Sequence, residues 1–297
     1  SNSVYYSLDL RKVLLQEGTV RMMRKKAVKP IVIVWTVIII LFLLFPFFVM
    51  ISTMLKPGSE VYVSPPYWIP KKVALSNFVE LWTQHPFAKY LKNSIIIAAG
   101  TTILTTVLCI PAAYAISRFH FLGQKLLLYM YLVIQMFSPI IVVIALFKII
   151  ARLHLIDTYL GLVLVNTVFT LSFVTWMLSG YFKTIPVDIE EAALIDGCTR
   201  IQTIIRIMIP IAAPGLVTTI IYSFIASWNE FMFALTLVQS VGKTPLTLGL
   251  YNFVGRYTTQ WELLTASAFL AIIPIIVLFL LIEKQLVAGI VGGAVKG

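Results

Sequence analysis

Charge is what this sequence has least of. Charged residues make up 12% of its 297 positions while apolar ones reach 60%, against about 25% and about 45–50% in soluble domains. A chain of this make-up cannot have water as its main solvent. Cysteine is as sparse. Cys109 sits in an apolar run and Cys198 in a polar stretch, which excludes a disulfide framework and a cysteine metal site and leaves two free thiols. The three histidines, His85, His120 and His154, stand far apart beside apolar runs. They offer no metal-ligand spacing and read as interfacial polar groups. No H-E-x-x-H and no G-x-S-x-G occurs, so an intramembrane hydrolase has no nucleophile or metal to build on, and no catalytic residue is expected. The phosphate loop G-x-x-x-x-G-K-[ST] is also missing, so the chain is not itself a nucleotide hydrolase. Solenoid-period repeats and low-complexity runs are absent too.

What is present is a series of long apolar runs. A helix needs about 20 apolar residues to cross a bilayer, and candidates lie at 31–55, 94–117, 126–150, 160–180, 209–238 and 263–287. An even number of spans puts both ends on one side. Arg11, Lys12, Arg21, Arg24, Lys25, Lys26 and Lys29 precede the first run, which predicts a cytoplasmic N-terminus, and Lys284 and Lys296 follow the last. Lys56, Lys71, Lys72, Lys89 and Lys92 fall on the predicted outer side and run against the rule. The net charge of +11 therefore reads as orientation and contact with anionic lipid rather than as a nucleic-acid face. The first run is too long for a signal-peptide core and lacks a small-residue cleavage site, so it is expected to remain as a span.

The expected organisation is a segment 1–30, a membrane domain 31–288 and a tail 289–297. Within 1–30, residues 7–26 form either a surface helix, with Leu8, Val13, Leu14 and Val20 on one side, or a disordered stretch. Residues 56–93 carry Pro57, Pro65, Pro66 and Pro70 with several aromatics and read as turns and interfacial anchors. Pro46, Pro111, Pro139, Pro214 and Pro274 lie within the spans. Each either breaks its helix beside a cavity or is an ordinary membrane-helix proline.

The most informative stretch is the polar connector 183–210, KTIPVDIEEAALIDGCTRIQTIIRIMIP. Asp188 with Glu191 three residues on has capping-box character, which predicts a short helix from about Ile189. Ala192 and Ala193 keep one face slim, and Gly197 permits the left-handed turn that ends it before a second helix near Thr199. The chemistry alone leaves two readings open, a plain connector or a knob that docks into a groove on another protein.

The same stretch resembles a known signature. Glu191-Ala192-Ala193, then Gly197, then Ile207, Ile209 and Pro210 are similar to the cytoplasmic motif of the membrane subunits of binding-protein-dependent ABC importers. Ile209 stands where that family usually has Leu. Ser227-Trp228-Asn229-Glu230-Phe231, Trp261 and the small-residue ending Gly289-Ile290-Val291-Gly292-Gly293-Ala294-Val295-Lys296-Gly297 look like the smaller permease of maltose-type carbohydrate importers. The resemblance implies an all-α membrane protein with the type I importer fold, six spans and a cytoplasmic coupling helix-turn-helix. It implies ATPase-coupling roles for Asp188, Glu191, Ala192, Ala193, Asp196, Gly197, Ile207 and Pro210. It also implies partners: a second homologous permease, two ATP-binding cassette subunits that carry the ATP and Mg, and an extracytoplasmic solute-binding protein. This chain would bind no cofactor. The cargo would be a sugar, neutral or acidic, or a non-sugar solute, and the site the bacterial inner membrane. Tyr222, Trp228, Asn229 and Glu230 are candidates for the substrate path, with the two aromatics either stacking on sugar or packing, and Glu230 either lining the path or joining the two permeases. Asn252, Arg256, Tyr257 and Gln260 are candidates for sugar or binding-protein contact. Arg152 and Arg256 with the outer lysines hint at an acidic saccharide, against a solvated or lipid-facing role. An ion-coupled carrier would want paired intramembrane acids, and Glu230 alone is central.

Overall fold

The computed structural model describes residues 32–255 and 257–294, of which 282–294 as backbone only. The expected surface helix within 1–30 and the terminal residues 295–297 lie outside the described residues. Among the described residues the structure is helical apart from one isolated bridge, Val254 to Thr259.

Four uninterrupted helices are long and apolar enough to span a bilayer: α1 (Val32–Met54), α3 (Phe87–Arg118), α6 (Tyr159–Thr184) and α12 (Trp261–Ala294). Two bent pairs, each counted as one broken span, bring the number to six. The third predicted span is not straight: α4 (Gln124–Met136) and α5 (Pro139–Arg152) meet at 102°. Pro139 causes the break, because its ring bars the helical conformation from Ser138, which is extended at φ −65°, ψ 134°. In the fifth span, α8 (Arg200–Ile211) turns by 84° into α9 (Ala213–Trp228), with Pro214 in the first turn of α9. A further short helix, α10 (Met232–Leu237), follows a break at Asn229–Phe231, so the run 209–238 is three pieces. Pro46, Pro111 and Pro274 lie inside continuous helix.

The most extensive helix pairing is α3 against α6, and small and hydroxyl side chains lie along it beside Val174, Leu178 and Phe182. Thr101, Thr105, Cys109 and Ala113 of α3 are buried, and Thr105 and Thr170 share a hydrogen bond of 2.9 Å. Lipid is as apolar as leucine, so helices in it gain by close backbone approach and interhelical hydrogen bonds rather than by apolar burial. The same logic holds Gly215 of α9 against Tyr181, where a Cβ would lie 2.3 Å from the ring. By contrast most of α1 is exposed within this chain, and only its last turn is covered, at Ser52 and Met54.

The end opposite the connector is laced by side-chain amides. Of the expected run of turns, residues 62–75 are turns and irregular backbone, while the short helix α2 (Ser76–Thr83) and the start of α3 at Phe87, seven residues ahead of the predicted span, replace the rest. Asn77 donates to the Met54 and Lys56 carbonyls at 2.9 Å each. Asn93 donates to the Gly242 and Thr244 carbonyls at 3.0 and 2.9 Å and accepts from the Tyr159 hydroxyl. Asp157 accepts from the Gln239 and Ser240 amides and the Ser240 hydroxyl, each at 3.1 Å. Burial on its own would raise the Asp157 pKa. These hydrogen bonds and the nearby Lys243 ammonium outweigh it and hold the carboxyl below the usual carboxylate value.

Candidate functional site

Two places in the fold have the chemistry to act. The first is the connector. Its leading helix α7 (Val187–Ile195) starts two residues before the predicted point, because Pro186 is fixed in an extended conformation that hands directly into the first turn. The capping box predicted for Asp188 and Glu191 is therefore not formed: Asp188 lies inside the first turn, where its charge complements the helix dipole instead. The capping box that does exist is Thr199 with Gln202, 3.3 and 2.8 Å, at the start of α8. Gly197 lies between the helices at φ +86°, the left-handed turn that a residue without Cβ adopts freely. A π-helical turn at Ile204–Met208 then carries α8 toward the membrane.

The connector presents a distinct outer face. Asp188, Glu191, Ala192, Asp196 and Gly197 are exposed, and Ile195 projects with 85% of its surface uncovered. Ala193 is buried against the bundle. So is Glu190, a residue the sequence reading passed over. Its carboxylate accepts from Arg118 Nε at 2.7 Å and from the Tyr114 hydroxyl, both at the end of α3, with Arg200 3.9 Å away. A pattern search cannot separate it from its neighbour Glu191, since the helix phase alone decides which acid turns inward. Ile207 lies farther along α8, half-buried, and Pro210 beyond it is exposed.

The second place is a cavity of about 390 Å³ at the break after α9. Gln135, Asn166, Thr170, Ser227, Asn229 and Glu230 supply its polar lining, and Phe137, Phe169, Phe231 and Phe233 its aromatic lining. Asn166 donates to Ser227 at 3.0 Å and Ser227 to Thr101 at 3.2 Å, so a polar chain crosses three helices. Glu230 restarts the helix: its two oxygens accept from the Phe233 and Ala234 amides at 2.6 and 3.1 Å. Those amides would otherwise be left unpaired where α10 begins. Asn229 is exposed beside it. Trp228 does not reach the cavity; it is 3% exposed and stacks on Phe224 at 5.6 Å, so packing and not a sugar platform is its place in this chain. Tyr222 packs on Phe173 at 4.5 Å, away from the cavity lining.

Past α10 the chain forms a short helix, α11 (Leu246–Tyr251), rather than an open loop, and Gly249 fits against the Tyr90 ring. Asn252, Tyr257 and Gln260 are exposed around it. Arg256 lies outside the described residues.

These features are those of a transport subunit, and the comparisons agree. Residues 106–290 match the family model of the binding-protein-dependent transport system inner membrane component. The chain belongs to this family. As a member, it is a membrane subunit of an ABC-type permease. It is 36% identical over 280 residues to the trehalose/maltose transport system permease protein MalG of Thermococcus litoralis, covering 93% of this chain and 100% of that one. It is 38% identical over 258 residues to the trehalose transport system permease protein SugB of Mycobacterium tuberculosis, covering 86% and 93%. Among solved structures, the fold matches a bacterial ABC transporter involved in import of the acidic polysaccharide alginate, with TM-score 0.73 at 22% identity over 84% of this chain and 93% of that one. The matched segment of the family model holds the connector, α9 and most of α12, so both candidate places fall inside it.

Proposed function

We propose that this chain is one of two permease subunits that together carry a sugar inward across the membrane, driven by ATP hydrolysed on separate cassette subunits. The observation that carries the reading is the outer face of α7: Asp188, Glu191, Ala192, Ile195 and Asp196 point away from the bundle while Glu190 and Ala193 hold it there. An acid-rimmed apolar knob with a slim alanine flank suits a cleft on a soluble partner, its apolar part burying Ile195 and its rim supplying cations. The basic run ahead of the first span puts that knob in the cytoplasm, where ATP is. The tail from residue 289 continues α12 as helix to Ala294 and extends toward the same side.

Asn252, Tyr257 and Gln260 then face outward to meet a sugar-loaded binding protein. Asn229 and Glu230 at the broken fifth span offer hydrogen-bond acceptors to sugar hydroxyls, with aromatic rings beside them. The lining holds a carboxylate and no cation, so an acidic sugar would draw its counter-charge from the second permease or the binding protein. Sugar is favoured over another solute by the mix of amides, hydroxyls and rings, and by relatives named for trehalose and maltose.

The test is reconstitution of the chain with its companion subunits in vesicles, followed by ATP-dependent uptake of neutral and uronic-acid oligosaccharides. Uptake of either class that requires ATP is the expected result. Uptake that follows an ion gradient without ATP would overturn the reading, as would cysteine crosslinks showing that Ile195 never meets a cassette subunit.

A further inference from the structure

We propose that Glu190 is a positioning residue that fastens the connector helix to the inner end of α3, so that the two move as one body. The chain itself ties α7 only to the spans before and after it, through Pro186 and through α8. Glu190 adds an attachment to a helix 72 residues away in sequence. Arg118 is the hub: Nε meets Glu190 at 2.7 Å while Nη2 donates at 2.9 Å to the carbonyl of Ile185, two residues ahead of α7. Tyr114, one turn earlier on α3, donates its hydroxyl to the other oxygen of Glu190. Arg200, at the head of α8, sits 3.9 Å from that oxygen and lies over the Phe119 ring at 5.3 Å. One carboxylate thus gathers the ends of α3, α7 and α8.

Burial decides what kind of contact this is. The Arg118 and Glu190 side chains are 8% and 5% exposed. An exposed pair would be loosened by water and salt, but this one can part only by leaving a buried charge without its partner. Such pairs contribute little net stability against an apolar replacement, and they fix one geometry over its alternatives. Geometry is what a force-bearing joint needs. Two breaks flank α7, Pro186 and Gly197, and either would let it swivel freely without a third hold. With the hold, displacement of α7 is delivered to α3, the helix whose Thr101 joins the polar chain that ends at the cavity.

The proposal rests on the reading of α7 as the ATPase dock, and the experiment separates the two. Spin labels at Leu122 and Val187, both exposed, report the distance between the end of α3 and α7 in the full complex, free of nucleotide and with a non-hydrolysable ATP analogue. The distance should be the same in both states. A shift of that distance in the unmodified complex overturns the proposal, and needs no variant. The paired change Glu190→Leu with Arg118→Met removes both charges together, so no buried charge is left alone. It should assemble with its cassette subunits, show a state-dependent distance, and move about tenfold less sugar per ATP, within the usual range of coupling between sites. Unchanged sugar per ATP in that variant also overturns the proposal. If instead the unmodified complex takes up no sugar with ATP, the parent reading has failed, and not the clamp alone.

Discussion

Gly197 gives the sharpest measurement, because within this chain its replacement has a small and calculable effect. Its φ of +86° is the left-handed region, and a Cβ built there meets no atom within 4 Å. Gly197→Ala therefore costs only the backbone penalty, about 1–2 kcal/mol. Gly197→Asn costs less, since Asn enters that region readily. Gly197→Trp carries the same backbone penalty as Ala, and its bulk leaves from an exposed turn. Any effect of Trp beyond that of Ala must come from whatever sits against the connector.

Two assays read this out. Thermal unfolding of the isolated chain in detergent should rank Asn close to the parent, with Ala and Trp together below it. Sugar-stimulated ATP hydrolysis by the assembled complex should rank differently: Asn near the parent, Ala modestly reduced, Trp abolished, with the cassette subunits still co-purifying. The gap between Ala and Trp is the signature of a filled cleft. If Trp hydrolyses ATP as Ala does, Gly197 faces open water in the complex and the docking argument is wrong.

Three further outcomes are expected. Glu230→Ala strips the acceptors from the Phe233 and Ala234 amides and should destabilise α10 by about 1–2 kcal/mol, the cost of a lost cap; uptake kinetics should fall for Ala and recover in part for Gln, which keeps an acceptor. Gly249→Ala would set a Cβ 2.3 Å from the Tyr90 ring and should cost about 1–3 kcal/mol by overpacking, measured as a fall in melting temperature that adding Tyr90→Ala relieves. Asp157 has a folded pKa below its ordinary 3.8, so its stabilisation is present above that value and is lost as pH falls through the folded value. Asp157→Asn should accordingly lower the melting temperature at neutral pH, and the gap between variant and parent should close as the pH drops below about 4.

What could be read from the sequence follows from how each feature is built. Apolar runs announced the spans because bilayer thickness sets their length. The connector was legible because its residues are contiguous and polar between two such runs, and Gly197 and Thr199 stand where the turn and second helix form. Its first helix was misplaced by two residues because Pro186, not Asp188, sets the start. The cavity was only half visible. Asn229 and Glu230 drew notice as polar residues in a span, but Gln135, Asn166 and Thr170 come from two other elements and show no periodicity that marks them. Trp228 stayed open between stacking on sugar and packing because an aromatic on a membrane helix has no sequence sign of which way it faces; here it stacks on Phe224.

The two ends of the bundle are held in different ways, and that bears on where movement is absorbed. The end opposite the connector is laced by short amide and carboxylate bonds from Asn77, Asn93 and Asp157 to backbone atoms of neighbouring segments. The connector end is gathered by one buried charge cluster around Glu190. A push on the connector therefore meets a braced cap at the far end, and displacement costs least where a helical ladder is already interrupted, since no backbone bond has to be broken there. Such interruptions occur at Phe137–Ser138 and at Asn229–Phe231, and Phe137 and Asn229 both line the cavity. The half-helices on either side of it can shift with their internal bonds intact, so the place that yields to force coincides with the polar and aromatic lining of the proposed sugar path.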